Sequence, residues 1–508
     1  MDLETSRNGS LTAVINGKYV HSKYDPENEA KRLVESFLSE HNPSDDSLIL
    51  VLEPGLGYSL KILLSMYSRE NIAVLFYSPE CYEYCRSEGL TDGIKSFLFT
   101  GNQNPDSFLS ALFSGRKLKD INILETPSSS QIFKNHHNRI LKKIVETLKI
   151  IQGSEMTGNH FALKWFLNSL VNFKFNDFHN TIESINTPVI LAASGPGLEP
   201  YLSRISELSD SYTIAALPSS LCTLKHYNIV PDLVFTTDPG YYAREHLKYL
   251  PEETIVVSSL ISSLGHPGNT LCGLNQNTFT ENLLLRENEL TRVPEMGTVA
   301  ATALHFLMNR CPQNIYIAGL DFCLDDIKMH AAPHSFTPLI LQPENRLNPG
   351  YNCYYQRAVS MSSDYSGGKR FSRNMDTYTS WFRQQVFQNR VYRLAYSPVT
   401  LPIQETKNIP DRRICSDDKI KLGTPVTYPD RNERSRRLSL LSESLSGMTA
   451  RYSDTGILPE SLIQFTREVF PSAVLSSSGD SFSSPSAKDD FLYKMNYLVQ
   501  KIYRIANE

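Results

Sequence analysis

Long apolar runs, clustered cysteines and a strong net charge are all missing from this sequence. No apolar stretch approaches the roughly 20 residues that a membrane-spanning helix needs, so membrane insertion is not expected. The first residues, Met1-Asp-Leu-Glu-Thr, lack a basic segment followed by an apolar one, and the expectation is a cytoplasmic protein without a secretory signal. The eight cysteines are scattered, and only Cys81 and Cys85 are near neighbours, at i,i+4 on an expected helix. No second Cys or His pair stands beside them at zinc spacing, so reduced, half-buried thiols are expected there and no metal site. A formal net charge of −4 gives no reason to expect nucleic acid as a partner. With 41% hydrophobic and 20% charged residues over 508 positions, the chain is long enough for about two to four domains with real cores.

What the chain does have is a strand that breaks into a small-residue turn: Pro188-Val-Ile-Leu-Ala-Ala-Ser-Gly195-Pro196-Gly197-Leu-Glu-Pro-Tyr-Leu202. A strand, a Gly-rich turn and a helix start make an anion site, because backbone N–H groups can approach a phosphate and the helix dipole favours negative charge. Tyr212–Leu217 reads as a second strand, Leu221–Ile229 as a helix, Leu233–Asp238 as a third strand ending in an acid, and Thr254–Leu260 as a fourth. Gly297-Thr-Val-Ala-Ala-Thr-Ala-Leu-His-Phe-Leu307 reads as a helix leading to the strand Asn314–Asp321. This alternation predicts an α/β, Rossmann-like central domain with a parallel sheet, in which Ser194, Asp238, Gly297, Thr298 and Asp321 gather at strand ends and helix starts.

These same residues carry a resemblance. Ala-Ser-Gly-Pro-Gly-Leu at 193–198, Pro231-Asp232 with Thr237-Asp238-Pro239, Gly297–Ala303 and Ile315–Asp321 look like the core of the motility accessory factor (Maf) family. His21-Ser-Lys-Tyr-Asp-Pro26 with Glu29, Gly55-Leu-Gly57-Tyr58, Lys164-Trp165 with Asn168, and Gly367-Gly-Lys with Trp381-Phe382 extend the match over nearly 400 residues, about four-fifths of the chain. The resemblance implies a flagellin glycosyltransferase using a CMP-activated nonulosonic sugar, with a central domain similar to bacterial sialyltransferases and to 6-hydroxymethylpterin diphosphokinase. It further implies that Ser194, Gly195, Pro196, Gly197, Gly297 and Thr298 bind the nucleotide and that Asp238 and Asp321 orient sugar or ribose hydroxyls. The sialyltransferases place a Tyr two residues after the strand-end acid, where this chain has Cys323.

The expected organisation is an N-terminal Rossmann-like α/β domain over 1–150, a helical connector over 151–183, the catalytic domain over 184–400, and a linker with a C-terminal helical domain over 401–508. In the first of these, Leu48–Leu52, the Gly55–Gly57 turn, Leu60–Met66 and Ile72–Phe76 read as strand, turn, helix and strand, similar to the opening of an S-adenosylmethionine methyltransferase. The acid that normally ends the second strand is replaced by Tyr77-Ser78. Asp25-Pro26 reads as a helix N-cap followed by Pro at the first helical position. Prolines 398, 402, 410, 425 and 429 mark the linker, Ser476–Pro485 reads as a mobile loop, and Phe491, Met495, Leu498 and Ile502 form one face of a terminal helix.

Transfer from a CMP-sugar needs a base for the acceptor hydroxyl and donors for the departing phosphate. His330, ahead of His334 in Lys-Met-His-Ala-Ala-Pro-His, is the expected base, and Arg346, Tyr351 and Arg357 are expected phosphate or sugar contacts. No cofactor or metal is required in that scheme, which inverts the anomeric centre. Two alternatives stand beside it: a Mg²⁺-dependent pterin diphosphokinase with the metal held by acids such as Asp238 or Asp321, and a non-catalytic flagellin-binding factor.

Overall fold

The computed structural model describes residues 1–508 except 114, 115, 117, 266, 363, 388, 395, 413–418, 424–426, 472, 474–481 and 483. Pro425 and most of the loop expected at 476–485 lie outside the described residues. Two compact units divide the chain, Met1–Thr157 and Gly158–Glu508, and the helix Lys134–Phe175 contains the division point.

The first unit opens with an antiparallel meander of β1 (Asp2–Thr5), β2 (Leu11–Ile15) and β3 (Lys18–Tyr19). The helix Pro26–His41 follows, started as the sequence predicts by Asp25, whose side chain accepts from Asn28 N at 3.0 Å. Strands β4 (Leu48–Leu52), β5 (Ile72–Phe76), β6 (Lys95–Leu98) and β7 (Ile121–Glu125) then form a parallel sheet in the order β6-β5-β4-β7. Every residue of β4 and β5 is buried. Their continuous apolar sequence is what a parallel strand covered on both faces requires.

In this unit the features that would serve a cofactor are filled by the chain itself. Leu56 N, in the Gly55–Gly57 turn, donates to His21 Nε2 at 2.8 Å. At the end of β5, Tyr77 N and Ser78 N both donate to the carboxylate of Glu53, which is fully buried and whose pKa burial pushes up to about 7.

The second unit is built on a nine-stranded sheet. After β8 (Thr181–Ile185) come β9 (Val189–Ala192), β10 (Thr213–Ala216), β11 (Leu233–Thr236), β12 (Ile255–Ser259), β13 (Leu271–Asn275), β14 (Thr291–Arg292) and β15 (Ile315–Ala318). The short strands β16 (Leu324–Asp325), β17 (Asp364–Ser366) and β18 (Lys369–Phe371) form a separate antiparallel sheet. Last come β19 (Val391–Leu394), β20 (Gln404–Thr406) and β21 (Ile420–Gly423), the last paired with β8. The large sheet runs β14-β13-β12-β11-β10-β9-β15-β19-β20 with every neighbour parallel. The chain winds outward from β9 to β14, then returns to the other side of β9 with β15. The strand order therefore reverses between β9 and β15, and a crevice opens at such a point beyond the carboxyl ends of the strands.

The helices Arg431–Thr455, Glu460–Val469 and Pro485–Asn507 close the chain. Leu438, Leu445, Phe465, Phe491, Met495 and Leu498 share one core with Phe166, Leu170 and Phe173 of the long helix, so the aromatic stripe of the expected connector is core. Among the described residues, no helix is long and apolar enough to cross a membrane.

Candidate functional site

Strands β9 and β15 run in register, with Ala192 opposite Ala318, and release Ser194-Gly-Pro-Gly and Gly319-Leu-Asp321 side by side. Gly195 N donates to Gly319 O at 2.9 Å, and Gly197 N donates to Asp321 Oδ2 at 2.6 Å. A Cβ on Gly195 would stand 2.4 Å from Asp321 Oδ2 and 2.5 Å from Gly319 O, and one on Gly197 2.5 Å from Asp321 Oδ1. The glycines make room for a carboxylate of the chain itself. Two sequence expectations change here: the turn's amides are engaged within the protein, and Pro196–Tyr201 is a 3-10 turn followed only by the short helix Leu202–Glu207, so no long helix begins at the turn. Asp321 is 5% exposed, and burial raises its pKa to about 6 against the pull of the Gly197 N–H, Lys369 and Arg393.

A ring of charged groups surrounds this carboxylate. Glu199, just past the turn, takes Lys328 Nζ at 2.6 Å and Ala332 N at 2.7 Å, tying the 328–332 loop to the turn. Lys369 Nζ lies 3.0 Å from Asp325 and 4.0 Å from the centre of the Tyr396 ring. The Tyr396 hydroxyl donates to Asp325, and burial together with that carboxylate pushes its pKa up, so the phenol stays protonated. The Cys323 thiol is buried beside Ser397 Oγ at 3.4 Å, and burial raises its pKa. A phenol is thus present beside Gly197 and Asp325 after all, supplied from beyond β19.

Three imidazoles meet on the other side of the turn. His330 Nδ1 lies 3.4 Å from Ser194 Oγ, and its ring stacks on His334 at 4.0 Å between centroids and 13° between planes. His246, on the helix Tyr241–Leu247, meets the His334 ring edge-on at 5.4 Å. Burial lowers the pKa of His330 to about 4, helped by the charges of His246 and Arg357. Burial likewise lowers His334 to about 2, and it lowers His246 to about 4 despite Asp238 and Glu245. All three are neutral at pH 7. His334 Nδ1 accepts from Phe336 N at 3.2 Å, which places its proton on the buried Nε2.

A pH dependence follows with a definite sign. The unfolded chain protonates these imidazoles as pH falls through about 6.5, whereas the folded protein does so only near 4 or below. Their contribution to stability is whole above about pH 6.5 and is lost on acidification; Asp321 acts oppositely, its burial costing stability as pH rises through about 6. At pH 5 the His334 contribution alone has fallen by about 2 kcal/mol. Thermal unfolding of His334→Gln is therefore expected to lose less stability between pH 7 and pH 5 than the parent does. Equal losses in both would count against the neutral cluster.

The other expected residues are more dispersed. Asp238 is exposed and accepts from Gly240 N at 2.6 Å. Thr298 caps the helix Val299–Arg310 by accepting from Ala301 N at 3.1 Å, and Gly297 before it has φ +69° with open space around it. Arg357 is exposed yet near enough for its charge to bear on His330. Arg346 and Tyr351 are exposed, and among the described residues no hydrogen bond ties them to Asp321, His330 or Ser194. Sequence reasoning missed Glu199, Lys328, Asp325, Tyr396 and His246. Only Tyr396 carried a signal, its place just past a strand.

Comparison with known proteins bears on the fold. The structure of the MAf glycosyltransferase from Magnetospirillum magneticum AMB-1 superposes over 99% of this chain and 91% of that one, with a TM-score of 0.53 and 12% identity. The chain has the Maf glycosyltransferase fold. Residues 164–326 match the family described as 6-hydroxymethylpterin diphosphokinase MptE-like, a stretch that includes Ser194, Asp238 and Asp321 and stops before His330. An uncharacterized protein of Treponema pallidum (strain Nichols) is 27% identical over 258 residues, covering 50% of this chain and 55% of the relative. A second from the same organism is 27% identical over 123 residues, covering 23% and 59%. The matches therefore span little more than half the length of these curated relatives.

Proposed function

We propose that this chain is a glycosyltransferase that moves a nonulosonic sugar from a CMP donor to serine or threonine hydroxyls of flagellin, acting in the cytoplasm and supporting motility. The observation that carries this reading is the strand-order reversal between β9 and β15, which brings the Ser194–Gly197 turn, Asp321 and His330 together at the strand ends, in a fold shared with a glycosyltransferase. In this scheme Ser194, Gly195, Pro196, Gly197, Gly297 and Thr298 line the nucleotide, and Asp238 and Asp321 orient ribose or sugar hydroxyls. The acceptor oxygen attacks the anomeric carbon, the bond to the CMP phosphate breaks with its electron pair going to phosphate, and the acceptor proton passes to His330. The neutral His330 is in the protonation state a base requires at pH 7. Arg357, Lys369 and the Tyr396 hydroxyl are the donors that would meet the departing phosphate, with Arg346 and Tyr351 as further phosphate or sugar contacts. Direct displacement inverts the anomeric centre.

The match to an MptE-like family favours a second reading, pyrophosphoryl transfer to a pterin. That reaction needs Mg²⁺ on a triphosphate. Asp238 follows β11 and Asp321 follows β15, three strand spacings away, which sets the strand ends about 14 Å apart. With strand ends that far apart, each acid is a separate Mg²⁺ ligand candidate, completed by the phosphates of the triphosphate. The test is direct. Purified protein with flagellin and a CMP-nonulosonic acid is expected to transfer sugar in excess EDTA and to make no pterin diphosphate from ATP and Mg²⁺. Strictly Mg²⁺-dependent pterin chemistry would overturn the glycosyl reading, whereas flagellin binding without either activity would favour an assembly factor.

A further inference from the structure

One carboxylate grips the segment that carries His330 on both sides of that residue. Glu199 Oε2 accepts from Lys328 Nζ at 2.6 Å, and Glu199 Oε1 accepts from Ala332 N at 2.7 Å. These partners stand two residues before His330 and two residues after it. Ala331 N, between them, donates to Ser194 O at 2.8 Å. Glu199 itself belongs to the 3-10 turn Pro196–Tyr201 that follows Gly195. The same grip reaches the phosphate donors. Lys328 N donates to Asp325 O at 2.8 Å, and Asp325 N donates back to Lys328 O at 2.9 Å. That tight turn joins Lys328 to the acid that accepts from the Tyr396 hydroxyl and lies 3.0 Å from Lys369 Nζ. Residues 325–332 are therefore one strap, with the holder of the leaving-group donors at its first end and the base near its second.

Stability does not explain this arrangement. The Lys328 and Glu199 side chains are 41% and 27% exposed, and an ion pair so accessible contributes little to folding. The strap is also anchored without it, since Thr223 Oγ1 donates to Pro333 O at 2.8 Å and Ser194 O holds Ala331. What Glu199 adds is a fixed path from Lys328 to Ala332 around the His330 ring. Glycosyl transfer needs its base and its leaving-group donors held at one separation, and a misplacement of about 1 Å can cost about a hundredfold in rate.

We propose that Glu199 is a positioning residue, which sets His330 against the Tyr396 and Lys369 donors by clamping the strap at Lys328 and Ala332. The inference rests on the glycosyl-transfer reading and adds to it a residue that acts through others.

Full-length Glu199→Ala, Glu199→Gln and Lys328→Met would be compared with the parent in sugar transfer. Glu199→Ala is expected to lower kcat about thirtyfold to a hundredfold while the KM for the CMP-sugar stays within a few-fold. The bonds of the nucleotide turn, from Gly195 N to Gly319 O and from Gly197 N to Asp321, do not involve Glu199. Glu199→Gln keeps an oxygen for Ala332 N and loses only the lysine, so it and Lys328→Met should each lose about fivefold. Their combination should lose no more than either alone, because both break the same contact. Diethyl pyrocarbonate labelling at pH 7, read for each histidine by mass spectrometry, needs no activity. In Glu199→Ala, His330 should be labelled at least about fivefold faster, while His305 on the helix Val299–Arg310 keeps the parent rate and reports an intact fold. Faster His330 labelling in a protein whose parent transfers no sugar would overturn the glycosyl-transfer reading while supporting the clamp. The positioning role is overturned if kcat in Glu199→Ala matches an active parent, if only the KM for the CMP-sugar rises, or if His330 labelling is unchanged. Should Glu199→Ala fail to fold, Glu199→Gln and Lys328→Met carry the same comparison.

Discussion

Purified His330→Ala is expected to transfer sugar at least about a hundredfold more slowly than the parent while its CMP affinity stays within a few-fold, the range that loss of a general base produces. The structure sharpens this beyond a bare histidine motif. His330 sits 3.4 Å from Ser194 and is packed flat on His334, so its ring is held in place by contacts that survive without substrate. Removing it leaves the hydrogen bonds from Gly195 N to Gly319 O and from Gly197 N to Asp321 as before. The kinetic comparison is single-turnover transfer in both proteins, with CMP titrated calorimetrically in parallel. Full activity in His330→Ala would move the base to another group, and lost CMP binding would make His330 a ligand contact.

Gly195→Val is expected to destabilise the fold strongly. Its Cβ alone would lie 2.4 Å from Asp321 Oδ2 and 2.5 Å from the backbone oxygen of Gly319, and the second of these cannot swing aside as a side chain can. Overpacking of a tight site costs about 1–3 kcal/mol, occasionally more, and two branched methyl groups place valine at or above the top of that range. Gly297→Ala is the instructive contrast. Nothing stands within 4 Å of its Cβ, so its penalty comes only from a φ of +69° and should stay near 1 kcal/mol. Urea unfolding of both variants checks the order, which should reverse if the turn at Gly195 is looser than the close contacts indicate.

Local signals in the sequence were enough to define the central strands of both parallel sheets, whereas β6, β7, β13, β14, β19 and β20 were not read from it. Leu48–Leu52 and Val189–Ala192 read as strands because parallel strands buried on both faces must be apolar throughout. Asp25-Pro26 marked a helix start, and the spacing of Phe491, Met495, Leu498 and Ile502 marked the buried face of the last helix, because capping and 3.6-residue periodicity are written within a few residues of one another. The Gly-Pro-Gly turn and Asp321 were likewise visible as strand ends.

Their partnership was not. A pattern of glycines looks the same whether the space they leave admits a phosphate or the chain's own carboxylate, and only the pairing of β9 with β15 shows that Asp321 fills it. The same pairing fixes where the strand order reverses, hence which strand ends form the crevice, and sets Asp238 apart from Asp321. Tyr396 reaches the turn from beyond β19, and His246 reaches His334 from a different helix. Strand order and cross-chain contacts depend on which distant segments pair when the apolar faces are buried together, and local periodicity carries no record of that choice. The sequence by itself therefore determined the α/β class, the central strands of both sheets, the Asp25 cap and the residue types at those strand ends. Tertiary structure alone decided which of those ends meet.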